Sequence, residues 1–64
     1  MDEIKYVGKE NVSYCVNGDI ADDFEEYLNM NKIPVHASVN GTDKTFIVDK
    51  KHADEADEFF KQYT

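Results

Sequence analysis

A chain of 64 residues makes one domain, 1–64, and folding at that length buries only about 60% of the unfolded surface, so a core and a deep catalytic cleft compete for the same few residues. Four Tyr, four Phe and an apolar fraction of 41% suffice for one core and exclude a disordered chain. Fourteen Asp and Glu against seven Lys and no Arg give a formal charge of −7, which argues against direct binding to nucleic acid or anionic membranes and for attraction to basic partners.

Along the chain, Ile4–Val7 and Val12–Val16 are rich in β-branched and aromatic residues. Gly8-Lys9-Glu10-Asn11 lies between them as a turn, so the pair reads as a hairpin or as one strand with an irregular lead-in. Val12, Tyr14 and Val16 fall on one face of the strand, Ser13 and Cys15 on the other. Asn17-Gly18 breaks the strand. Asp19 is the expected N-cap of a helix over about Ile20–Met30, with Asp22 in its first turn. Ile20, Ala21, Phe24, Tyr27 and Leu28 make its apolar stripe.

Ile33, Val35, Ala37 and Val39 alternate with Pro34, His36 and Ser38, the pattern of a half-buried strand. Asn40-Gly41 is a hairpin turn because both positions tolerate positive φ, and Lys44–Val48 returns as the partner strand. Asp49 is placed to cap a second helix. Its stripe is Ala53, Ala56, Phe59, Phe60 and Tyr63, and Asp54, Glu55, Asp57, Glu58 and Lys61 face away.

The order β(β)αββα predicts an α+β two-layer sandwich: an antiparallel sheet of three or four strands with two helices side by side on one face. Ile20–Leu28, Lys32–Ala37, Phe46–Asp49 and Ala53–Phe60 together resemble the half-ferredoxin βαββα modules of bacteria. Examples are the N-terminal cytosolic domain of rhomboid proteases and small signal-transducing domains. The resemblance spans residues 12–63 and rests on core periodicity and turn chemistry. It implies a fold and a regulatory or adaptor role, and it carries over no catalytic residue. The segment Ile4–Val7 lies outside it.

Charge is segregated along the chain. Residues 19–26 hold Asp19, Asp22, Asp23, Glu25 and Glu26 with no Lys, and residues 54–58 hold Asp54, Glu55, Asp57 and Glu58 with no Lys. Like-charged i,i+4 pairs such as Asp22–Glu26 and Asp54–Glu58 cost an isolated helix roughly 0.2–0.5 kcal/mol each. A surface chosen for stability alone would intersperse Lys. Two neighbouring helices about 8–10 Å apart would set these carboxylates in adjacent rows, imitating rows of phosphates.

The expected function is therefore inhibition by DNA mimicry: Asp22, Asp23, Glu25, Glu26, Asp54, Glu55, Asp57 and Glu58 occupy the DNA-binding surface of a basic, nucleoid-associated or other DNA-binding host protein. In character the composition is similar to small acidic bacteriophage proteins of host takeover that inhibit nucleoid proteins such as HU. A solvated acidic exterior without a partner is the plain alternative, and acids in a first helical turn also favour the helix dipole.

Other chemistry finds little support. One cysteine, Cys15, permits no internal disulfide. Cys15, His36 and His52 have no metal-ligand spacing, and a closed zinc site needs four ligands. Carboxylates on convex helix faces lack the cleft that separates two pKa values for acid–base work. Gly8, Gly18 and Gly41 are isolated and make no phosphate loop. No enzyme, no metal and no cofactor is expected. With neither a signal peptide nor a run near ~18 apolar residues, the chain reads as cytoplasmic. The sheet face away from the helices carries Ser13, Cys15, His36, Ser38, Thr45 and Ile47, a surface suited to a homodimer, and an adaptor module would bind through this face or through an edge strand.

Overall fold

The structure is a computed structural model that describes residues 3–63, with the side chains of residues 4–62. Strand β1 (Glu3–Val7) turns into β2 (Asn11–Asn17), which runs directly into helix α1 (Gly18–Met30). Strands β3 (Val35–Asn40) and β4 (Asp43–Asp49) follow as a hairpin. A 3-10 turn (Lys50–His52) then leads into α2 (Ala53–Tyr63). All neighbours in the sheet are antiparallel, in the order β1-β2-β4-β3. The fold is the α+β arrangement that the sequence predicts, and residues 4–7 form a paired fourth strand.

Register explains the core. Val12 faces Val48, and Tyr14 faces Phe46, across β2 and β4. With Val16 they form the apolar side of the sheet, and all five are buried. Ala21, Phe24 and Leu28 of α1 and Ala53, Ala56, Phe59 and Phe60 of α2 are buried against them. Phe24 is the hub. Its ring centroid lies 5.3 Å from Tyr14, 5.2 Å from Phe46, 5.2 Å from Phe59 and 4.7 Å from Phe60, at tilted or edge-on angles that aromatic quadrupoles favour. No polar or charged residue is among the buried ones described.

Several boundaries differ from the sequence expectation. Helix α1 starts two residues earlier, with Asn17 as N-cap, making no side-chain cap bond, and Asp19 in the first turn. Gly18 permits this. A Cβ there would sit 3.0 Å from the Thr42 carbonyl oxygen, so a side chain would crowd the β3–β4 turn, and glycine lets the helix start pack closely against it. That turn is centred on Gly41-Thr42 rather than Asn40-Gly41, because Asn40 still pairs with Asp43. Gly41, with φ +67°, takes the first central position, as in a II′ turn. Asp49 caps as expected, but it caps the 3-10 turn, accepting from the Lys51 N–H at 3.1 Å. The Tyr63 side chain, expected on the α2 stripe, lies outside the described residues.

The largest departure is β3. Ile33 is buried but precedes the strand, Val35 is half-buried, and Ala37 and Val39 are exposed, Val39 to 72%. The alternation is present and the cover is not. Strand β3 is an edge, and the helices lie over β2 and β4.

Helix α1 ends in a Schellman motif. Ile33 N–H donates to the Leu28 carbonyl at 2.9 Å, and Lys32 N–H to that of Asn29 at 3.1 Å. Lys32 occupies the left-handed position at φ 57°, where a side chain costs roughly 1–2 kcal/mol. Lys32→Gly should therefore raise the unfolding free energy by about 1 kcal/mol in urea titrations. Phe24→Ala should lower it by about 3–5 kcal/mol, most of what a domain of this size has. Its circular dichroism and urea midpoint would show a largely unfolded chain.

Candidate functional site

The acidic candidates lie on two helices that share one side of the sheet. The Tyr27 hydroxyl donates to the Glu55 carbonyl oxygen at 2.8 Å, and its ring lies 5.4 Å from Phe59, joining α1 to α2. Glu55 thus borders the seam between the helices, and Glu55 and Glu58 both act electrostatically on Tyr27. Asp23 sits one turn before Tyr27 on the same flank of α1. Asp22, Asp23, Glu26, Asp54, Glu55 and Glu58 are exposed, as is Asp19.

Two of the eight candidates are turned differently from expectation. Asp57 does not face away. It is half-buried, accepting from the Tyr14 hydroxyl on Oδ1 at 2.8 Å and from Lys5 Nζ on Oδ2 at 2.8 Å. It thus ties α2 to β1 and β2. Glu25 is also half-buried and accepts from Lys44 Nζ at 3.0 Å, with Asp22 3.7 Å from the same nitrogen. Sequence reasoning missed both lysines because the partners lie 52 and 19 residues apart. The available signal was parity: Lys5 and Lys44 stand opposite the core-facing Tyr14 and Val16. Glu55 and Glu58 have looser neighbours, His52 and Lys61, each at 3.8 Å.

The histidines and the cysteine do not converge. Among the described residues no group of three or more His, Cys, Asp or Glu is arranged to hold a metal ion. Cys15 and His36 lie on the open sheet face, on different strands and in different cross-strand rows. Tyr6, Ser13, Ile47 and His36 form one row, and Ile4, Cys15, Thr45 and Ser38 the next. Neither row contains Asp, Glu or Lys, although a third of the chain is charged. Ile4, Tyr6 and Ile47 are exposed there. No helix among the described residues is long and apolar enough to cross a membrane.

Comparison with protein-family models, curated proteins and solved structures finds no match to this chain.

Two groups hold their protons more tightly than usual. Burial, then the charges of Glu55 and Glu58, raise the Tyr27 phenol above its ordinary 10.0. The Glu25 hydrogen bond and charge, with Asp22 adding to them, raise the Lys44 ammonium above its ordinary 10.5. In both cases the folded state binds the proton better than the unfolded chain does. The stability they contribute is complete below about pH 10 and is lost as pH rises through that value. The urea midpoint should hold steady up to about pH 10 and fall as the pH rises above it. Tyr27→Phe should make that fall shallower, and an equally steep fall in the variant would assign it elsewhere.

Proposed function

We propose that this protein is an inhibitor that mimics DNA and binds a basic DNA-binding protein through the outer faces of α1 and α2. The observation that supports this reading is the contiguity of the two acidic exteriors. Phe24, Phe59 and Tyr27 hold the helices side by side, Lys5 and Lys44 are drawn to the sheet-facing carboxylates Asp57 and Glu25, and one lysine, Lys61 beside Glu58, stands on the helices themselves. What remains outward is a field of Asp19, Asp23, Glu26, Asp54, Glu55 and Glu58. Packed helices stand about 8–10 Å apart, so the field has two rows.

A cleft built to meet phosphates releases its own bound anions on accepting such a surface, and the binding weakens with salt as DNA binding does. Asp22 belongs to the field at its edge, while Glu25 and Asp57 contribute less because each already carries a lysine. Bacteriophage proteins directed at host nucleoid proteins such as HU act in this style, in the host cytoplasm, by binding rather than by catalysis.

A second reading has its own observation. The two central rows of the open sheet face are free of Asp, Glu and Lys, as an adaptor of half-ferredoxin type would need for a contact indifferent to salt.

One experiment separates the two. The immobilised protein is exposed to bacterial lysate, alone, with excess duplex DNA, and at raised salt. Mimicry requires capture of a basic DNA-binding protein that is lost under both challenges and lost in the variant carrying Lys at Glu26, Asp54, Glu55 and Glu58. Capture by that variant at full strength rejects mimicry. Capture that survives DNA and salt but falls with Ile47→Lys supports the adaptor reading.

A further inference from the structure

Strand β3 is an edge with no protection of its own. It pairs only with β4, its register runs unbroken from Val35 to Asn40, and His36 to Asn40 are exposed. Edges are ordinarily blunted by Lys, Pro or a bulge within the strand. Strand β3 carries none of these. The opposite edge, β1, has Lys5 at its centre, anchored to Asp57 of α2.

The surroundings of β3 differ on its two sides. On the helix side Ala37 and Val39 form a bare apolar ledge. The wall beside it is the flank of α1 turned away from α2. Tyr27 occupies the α2 flank, whereas Asp22 and Glu25 reach Lys44, the residue paired with Val39. Glu26 lines one shallow hollow with Asp22 and Glu25 on this wall. On the other side, β3 contributes His36 and Ser38 to the charge-free rows of the open face.

We infer that β3 accepts an extended segment of a partner protein as a fifth strand, and that the segment alternates Lys or Arg with uncharged apolar residues. Each element of that chemistry has a counterpart. The backbone of an added strand takes up the outward N–H and C=O groups of β3. Its basic side chains point to the helix side, where their methylene stems cover Val39 and Ala37 and their heads reach the carboxylates of Glu26 and Asp22, with Glu25 contributing less because it already carries Lys44. Its apolar side chains lie on the open face beside His36 and Ser38. A second copy of this chain is the wrong occupant, because pairing β3 with β3 would set two acidic α1 flanks facing each other across the ledge. This contact shares Asp22 and Glu26 with the mimicry field, but it needs neither α2 nor Asp23, and it does not depend on that reading.

The test is a nuclear magnetic resonance titration of the full chain with a synthetic peptide alternating Lys and Val over the six residues of β3. Two matched peptides serve as controls, one with Glu for Lys and one N-methylated at alternate amides. The expected result is amide shifts centred on Val35–Asn40, with at least about tenfold weaker binding of both controls and of the variant Val39→Lys. Val39 is exposed, so that variant keeps its fold and its unfolding midpoint. Glu55→Lys with Glu58→Lys should leave the shifts centred on Val35–Asn40, with only the modest weakening that a less negative chain brings. Shifts on the outer helix faces instead, abolished by that double variant, would overturn the inference while leaving mimicry standing. Equal binding of the N-methylated peptide, or sedimentation showing a β3-dependent dimer that excludes the peptide, would also overturn it.

Discussion

The Phe24 ring is the constraint on which the rest of the molecule turns. One side chain from α1 touches a ring from β2, one from β4 and two from α2, so helices and sheet are located relative to a single point. A domain this small has little burial to spare. It concentrates what it has in aromatic rings, each of which removes a large area from water. The same packing decides the surface. With α2 fixed beside α1 by Phe59 and Tyr27, the outward carboxylates of both helices have nowhere to go but one shared exterior.

Charge is handled by sorting rather than by neutralisation. Lys44 meets Glu25 and Lys5 meets Asp57 where the helices approach the sheet, at positions half-shielded from water. Exposed pairs of this kind contribute little, typically 0–1 kcal/mol. Asp57 is the exception, because it also accepts from the buried Tyr14 hydroxyl, and hydrogen bonds to a charged group are worth about 1.5–3 kcal/mol. The lysines therefore place the helices more than they balance the charge. The outer faces keep their excess, which gives the acidic field its strength at a cost in self-repulsion that the aromatic core offsets.

How much of this the sequence discloses depends on the range of the interaction. Period-3.6 spacing located Phe24, Leu28, Phe59 and Phe60 correctly, since helical stripes are local. Period-2 spacing put Val35, Ala37 and Val39 on one side of a strand, and the structure agrees on the side. It could not disclose whether anything covers that side, because cover is a property of strand order, and β3 falls at the edge. Asp57 and Glu25 fall off the apolar stripes and so look outward in the sequence for the same reason: their partners Tyr14, Lys5 and Lys44 come from distant strands. Lys32 shows the converse. Its left-handed backbone gives no residue-type signal, yet Leu28 and Ile33, both buried, require the chain to turn there.

Edge and acidity are physically linked. A charge-free strand with a free edge invites pairing with a copy of itself, and most proteins prevent this with charges in the strand. Here the prevention lies elsewhere. The carboxylates of Asp22, Glu25 and Glu26 stand beside β3 without occupying it, and they oppose the approach of the same acidic flank on a second copy. A partner of opposite sign meets the reverse situation: the field that excludes the copy draws it in, and the edge is then free to bond it. An edge guarded by a field discriminates by charge, whereas an edge blocked by a lysine or proline would refuse every strand alike. The acidity of α1 and the bareness of β3 are therefore one arrangement, in which neither feature has the same effect without the other.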